Sequence, residues 1–279
     1  MIKFSFILLF VAFHIQITIS LAQTSAINLQ PIVTSLDGAT SLSVTPSGLI
    51  YLTEKNRHRI LAVVSSGERT DSLGALGRGD YRFNQPVSVD ATNGLKIYVA
   101  DQNNGRVQLY DRRFQYLSSI TGEKIEQGGR FRPSQIQISS SGGLFAYDRD
   151  RHIIHVFDPF GNYDRAIDPR RFQIGSDIHM KMSGSELLIL DKERGVIHKF
   201  TTDGGYLNFI GGFSGAKRIH GTNNSIWGAF NDRVVRFSTL GEPLQIYKFE
   251  QRLEPADLHI YQSNVFILLN DQLLTSPLE

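Results

Sequence analysis

One short pattern recurs six times along this chain of 279 residues, and it limits the possible folds more than any other feature. Apolar, β-forming runs end in a polar residue at 50–54, 97–101, 144–148, 187–191, 227–231 and 266–270. Their last residues, Glu54, Asp101, Asp148, Asp191, Asn231 and Asn270, are 47, 47, 43, 40 and 39 positions apart. Each run has a short strand-like segment before it and two after it, separated by polar or glycine-containing turns. A four-stranded unit of about 43 residues cannot cover both of its faces alone, so neighbouring units must cover them. Radial repetition of such a sheet is a propeller. The fold expected is all-β: a six-bladed β-propeller of four-stranded antiparallel blades.

The two ends fit a closed ring. The sixth unit stops one strand short, whereas residues 27–33 form a spare strand ahead of the first unit. Pairing that strand outside the last unit closes the ring, and Pro31 is tolerated there because an edge strand can leave one amide unpaired. Hydrophobic residues make up 41% of the chain, enough for a core, and the absence of cysteine leaves packing and strand pairing to hold it together. Residues 1–22 read as a cleaved secretory signal, with Lys3, a short apolar run and the small residues Ser20 and Ala22. Residues 23–279 are then a single propeller domain with no further membrane-spanning segment, released to the periplasm or to an outer-membrane or cell-surface location.

The second and third units carry a more specific pattern. Gly74, Gly77, Gly79, Phe83 and Pro86 lead into Val87-Ser88-Val89-Asp90. Residues 97–101, Asn104 and the stretch Arg106-Val107-Gln108-Leu109-Tyr110-Asp111 come next. A second copy runs through Gly128-Gly129, Phe131, Pro133 and Tyr147-Asp148. In these residues the chain resembles the NHL-repeat family of six-bladed propellers, of a secreted bacterial type. The resemblance implies the fold and leaves function open, because this fold hosts lyases, hydrolases, scaffolds and binding modules.

Motifs for chemistry are sparse. The glycines at 74–79 lack the lysine and hydroxyl residue of a phosphate loop, and neither a nucleophile elbow nor a His-Glu-x-x-His helix is present. Asp101, Asp148 and Asp191 are expected to fix turns by accepting backbone amides. His179, His220 and His259 lie 12, 11 and 11 residues before Asp191, Asn231 and Asn270, so they are expected at equivalent places on three successive inner strands. Ser43, Ser88 and Gln137 take that place in the other three, completing a channel lining. Three imidazoles there could hold Zn²⁺ or another divalent cation. The peptide-amidating lyases resemble this fold and hold zinc with three such histidines. The favoured reading is packing within the seams, with hydrogen bonds to the next strand and no cofactor, and the metal site is its alternative.

The balance of 29 basic and 27 acidic residues, +2, argues against a nucleic-acid partner. Arg78, Arg82, Arg130, Arg132, Arg170, Arg171, Lys217, Arg218 and Arg252 nevertheless recur in the connections between units, a basic rim for partner binding. Lys55, Arg57, His58, Arg149, Arg151, His152, Lys192 and Arg194 are assigned to the opposite face. These features favour a non-catalytic scaffold, a component of a cell-envelope assembly that binds another envelope or outer-membrane protein, with peripheral membrane association open. Its alternatives are a metal-dependent lyase or hydrolase with a histidine-lined channel, and a glycan or small-anion binder.

Overall fold

A computed structural model describes residues 22–125 and 129–278. Residues 1–21 of the signal segment and Gly128 of the repeat pattern lie outside the described residues. Among the described residues no helix is long and apolar enough to cross a membrane. Six sheets form, five of four strands and one of five. Each blade is a meander in which successive strands pair antiparallel, as in Ala39–Val44, Ile50–Glu54, Arg59–Val63 and Arg69–Leu73 of the first. The second strands are buried throughout, whereas the outer strands are largely exposed. That gradient explains why the second strand read most clearly: it is a continuous apolar run packed on both faces.

The core lies in the seams between blades. Six hydrophobic clusters form, each drawing on two neighbouring blades. Tyr98, Ala100 and Val107 of blade two, for example, pack against Ile136, Leu144 and Phe157 of blade three. No blade has a private core, so each depends on its neighbours for burial.

Closure takes the expected route and adds one element. Gln30–Val33 pairs antiparallel with Leu273–Pro277, and Pro31 sits on that outer strand. Backbone bonds from Leu36 to Asp271 and from Ala39 to Asn270 continue the seam. Upstream, Gln23–Ala26 pairs parallel with Pro243–Lys248 and becomes a fifth strand of blade five. The amino-terminal segment thus ties two blades. Gly67 lies against it, because a Cβ at this position (φ +87°) would stand 1.8 Å from the Ile32 carbonyl oxygen.

The strand count corrects the two-face assignment. In a four-stranded meander the turn after the second strand and the connection after the fourth emerge on the same face. Arg132, in a connection, therefore bonds Asp150 and Asn103 in such turns at 3.1 Å each. Likewise the Lys192 amide donates to the Asp177 carbonyl. The basic rim and the turns carrying Lys55, Arg149 and Lys192 share one face, termed the upper face. The lower face carries the remaining turns.

Candidate functional site

The six innermost strands are Ala39–Val44, Pro86–Asp90, Pro133–Ile138, Ile178–Ser183, Arg218–Thr222 and Asp257–Tyr261. Each has a free edge toward the channel, and its amides need partners. The preceding blade supplies many of them. Ser41 and Ser43 accept from the amides of Val89 and Ala91, and Ser88 and Asp90 accept from Ile136 and Ile138. Gln135 and Gln137 accept from Met180 and Met182, His179 Nδ1 accepts from Ile219, and Asp257 accepts from Leu42 to complete the circle. Every inner strand thus carries a polar pair two residues apart, one member near the upper mouth and one deeper.

This register separates the three histidines. Strand pairing places His179 beside Leu190, one residue before Asp191. In blades five and six it is Arg218 and Asp257 that lie at the equivalent level, opposite Ala229 and Leu268. Asn231 and Asn270 stand one position beyond the true end of the repeat. His179 is therefore in the upper tier with Ser88, and His220 and His259 are in the deeper tier with Ser43 and Gln137. The deeper pair touch, with ring centroids 4.2 Å apart. His179 has both nitrogens engaged, Nδ1 by the Ile219 amide and Nε2 by Asp257 at 3.4 Å. Among the described residues no group of three histidine, cysteine, aspartate or glutamate side chains is placed to hold a metal ion, so the alternative three-imidazole centre is not assembled.

At the waist lies an ion pair absent from the sequence expectations. Lys181 Nζ is 3.0 Å from Asp257 Oδ1 and 3.2 Å from Oδ2, and both residues are buried. Burial alone would raise the Asp257 pKa, but Lys181 and the His179 contact outweigh it and hold the carboxyl well below the usual range. Burial pushes His179 down to about 3 against the opposing pull of Asp257. His220 also falls to about 3, by burial first and Lys181 second. His259 is held well below its ordinary value by burial, His220 and Lys181. Asp90 shifts the other way, raised by burial despite bonds from Thr92 and Ile138. The waist at neutral pH is a buried ion pair beside three neutral imidazoles. His220 Nδ1 is buried and has no hydrogen-bond partner among the described residues.

Two openings meet at this waist, and both are lined by Gln137 and Lys181. The upper mouth, about 350 Å³, also reaches Ser88, His179, Asp257, Arg218 and Arg149. The lower, about 260 Å³, reaches Ser43, Asp90, His220 and His259. Ser43, Ser88, Gln137, His179, His220 and His259 each border one opening or both, beside Lys181, Asp257 and Asp90. These three were legible as the other halves of the two-residue pairs.

The repeat acids act on the backbone. Asp101 accepts from the Asn84 amide at 2.7 Å, Asp148 from Arg132, Asp150 and Arg151, and Asp191 from Gly175, Glu193 and Arg194. Glu54 does the same for Asp37. Each ties the second-strand turn to the incoming connection. The rim is less uniform than its spacing implies. Arg78, Arg82, Arg130, Arg170, Arg171 and Arg252 are exposed, whereas Arg132 and Lys217 are half-buried. Arg170 is paired with Asp168, and Arg218 turns inward to the carbonyls of Ala256 and Lys217.

Residues 83–110 match the NHL repeat. The chain carries that motif in its second blade. A stretch of 141 residues is 26% identical to the protein brain tumor of Drosophila melanogaster. The alignment spans 46% of this chain but only 13% of that protein. Among solved structures, a streptogramin B lyase matches with a TM-score of 0.66 at 12% identity, over 91% of this chain and 98% of that one. A gluconolactonase from Xanthomonas campestris matches with a TM-score of 0.70 at 13% identity, over 91% and 90%. Virginiamycin B lyase from Staphylococcus aureus gives 0.63 at 11% identity, over 91% and 100%. At these identities the likeness shows the fold. The expectation of a non-catalytic role is corrected to this extent: solved propellers that match over nine tenths of this chain carry the names of lyases and a lactonase, so the fold gives that expectation no support.

Proposed function

We propose that the chain is a lyase or hydrolase whose reaction takes place at the channel waist. The strongest support is the buried Lys181–Asp257 pair set against neutral imidazoles. Burying two charges costs several kcal/mol per ion, which good geometry only partly offsets, so such a pair is a weak stabilising device. Shifted ionisation grouped in a cleft fits a catalytic site better. The activities of the similar propellers, lyase and gluconolactonase, point the same way.

The roles come from geometry. His220 is neutral and has a buried ring nitrogen with no partner among the described residues, so it acts as the base, with His259 packed against it. Lys181 stabilises negative charge developing on a substrate oxygen. Asp257 and His179 hold Lys181 and the neighbouring strand in place. A base with so low a pKa is weak in the empty channel, and bound negative charge would strengthen it.

The test is proton release, or absorbance of a new double bond, on a panel of lactones and esters with residues 23–279. Turnover is expected, falling about 10²-fold or more in His220→Gln. A folded protein that turns over none of the panel, or a variant with the full rate, contradicts the reading.

Export belongs to the same proposal. The first strand begins at Gln23, directly after the small residues of the signal. Sequencing of the chain recovered from outside the cytoplasm is expected to begin at Gln23, and recovery with an intact Met1 contradicts this.

A further inference from the structure

The upper mouth collects more positive charge than its acids neutralise. Lys55, Arg149, Lys181, Lys192 and Arg218 line it, against Asp177 and Asp257. Two of the five cations are matched, Lys192 to Asp177 at 2.7 Å and Lys181 to Asp257. Lys55 and Arg149 make no ion pair or side-chain hydrogen bond with the described residues. Arg218 spends Nε and Nη1 on carbonyl oxygens and is attracted by Asp257 and Asp177 without a close ion pair to either, and its Nη2 has no partner among the described residues.

The arrangement is not a general property of the face. Lys55, Arg149 and Lys192 each come directly after the acid that ends a second strand, in blades one, three and four. Blade two has Gln102 there, and the strand register of blades five and six puts Asn231 and Asn270 at the same place, neither of which reaches the mouth. The cations that do reach it converge from several blades on one concave space. Field lines concentrate in such a space, and an anion inside it is less screened than on the open rim.

We infer that this mouth binds a small molecule bearing an oxyanion, a carboxylate or a phosphate, held by Arg149, Lys55 and Arg218, with its reacting part toward Lys181. The inference rests on the catalytic reading for that direction and names the substrate class of the same site. A cavity of about 350 Å³ suits a metabolite-sized ligand. A guanidinium can hold a carboxylate or phosphate through two donors, and Lys55 adds a point charge. Negative charge arriving here also raises the affinity of the neutral imidazoles below for a proton, so binding prepares the base.

Calorimetric titration of residues 23–279 with citrate, glucose 6-phosphate, inorganic phosphate and glucose tests this. Citrate or a phosphate is expected to bind, more weakly as salt rises, whereas glucose is not. Binding of citrate alone identifies a carboxylate ligand, and binding of the phosphates alone a phosphate. Lys55→Ala with Arg149→Ala should weaken binding about a hundredfold, one charged contact being worth about tenfold or more. Arg78→Ala with Arg252→Ala removes the same charge from the rim and should change it by less than about threefold. No binding of any anion at millimolar concentration, or equal losses in the two double variants, overturns the inference. Anion binding without turnover would sink the catalytic reading and spare this one. Turnover of uncharged lactones with no anion binding would do the reverse.

Discussion

Asp257→Ala will destabilise the propeller by about 3–5 kcal/mol, more than any other single substitution in the channel. The change strands the Lys181 ammonium in a buried space, removes the partner of His179 Nε2 and takes the acceptor from the Leu42 amide. The last bond crosses from blade six to blade one, the seam where the ring closes, so the damage falls where the chain is tied by its ends. Lys181→Met combined with Asp257→Asn should recover most of the loss. Asparagine still accepts the Leu42 amide, and methionine fills the volume without a charge. Urea denaturation of the three proteins checks this. An Asp257→Ala midpoint within about 1 kcal/mol of the parent would show that the pair is not buried as described.

Acidification will unfold the ring before most carboxylates titrate. His179, His220 and His259 have folded pKa values depressed by burial, against about 6.5 in an unfolded chain. Between about pH 6.5 and 3 the unfolded state therefore binds more protons, and stability falls as pH falls. The stability is complete above the unfolded value. With folded pKa values near 3, His179 and His220 each cost about 2 kcal/mol at pH 5, a large part of the stability of an ordinary domain, and His259 adds to the loss in the same direction. His155 and His198, lowered mainly by burial in the outer seams, act in the same direction. Asp257 adds to the loss once pH drops below the normal carboxylate range, whereas Asp90, with its raised pKa, opposes it. Denaturation midpoints from pH 7.5 to 4.5 should fall steeply, and less steeply in His220→Gln. A flat profile would mean the imidazoles are protonated or solvated in the fold.

The architecture was legible because it rests on repetition. Six apolar second strands, each buried on both faces, left an unmistakable period, and the missing sixth-blade strand pointed to closure by Gln30–Val33. Gln23–Ala26 escaped notice because it is short and polar and adds to an exposed edge. The site was half legible. Counting back from Asn231 and Asn270 introduced a one-residue error, and on an inner strand that is enough to merge two tiers. The alternation Ser41/Ser43, Ser88/Asp90, Gln135/Gln137, His179/Lys181, Arg218/His220 and Asp257/His259 was present all along. It identifies Lys181 and Asp257 as channel residues, but their pairing across two blades depends on ring geometry that no local pattern encodes.

The catalytic waist is tested most directly by Lys181→Met/Asp257→Asn, a variant designed to keep the ring intact. Its turnover is measured on whichever lactone or ester the parent protein opens, beside its urea midpoint. The expected result is a folded propeller with a near-parental midpoint and a rate lowered about 10²-fold or more. A folded variant that turns over at the parental rate would contradict the assignment of the reaction to this site.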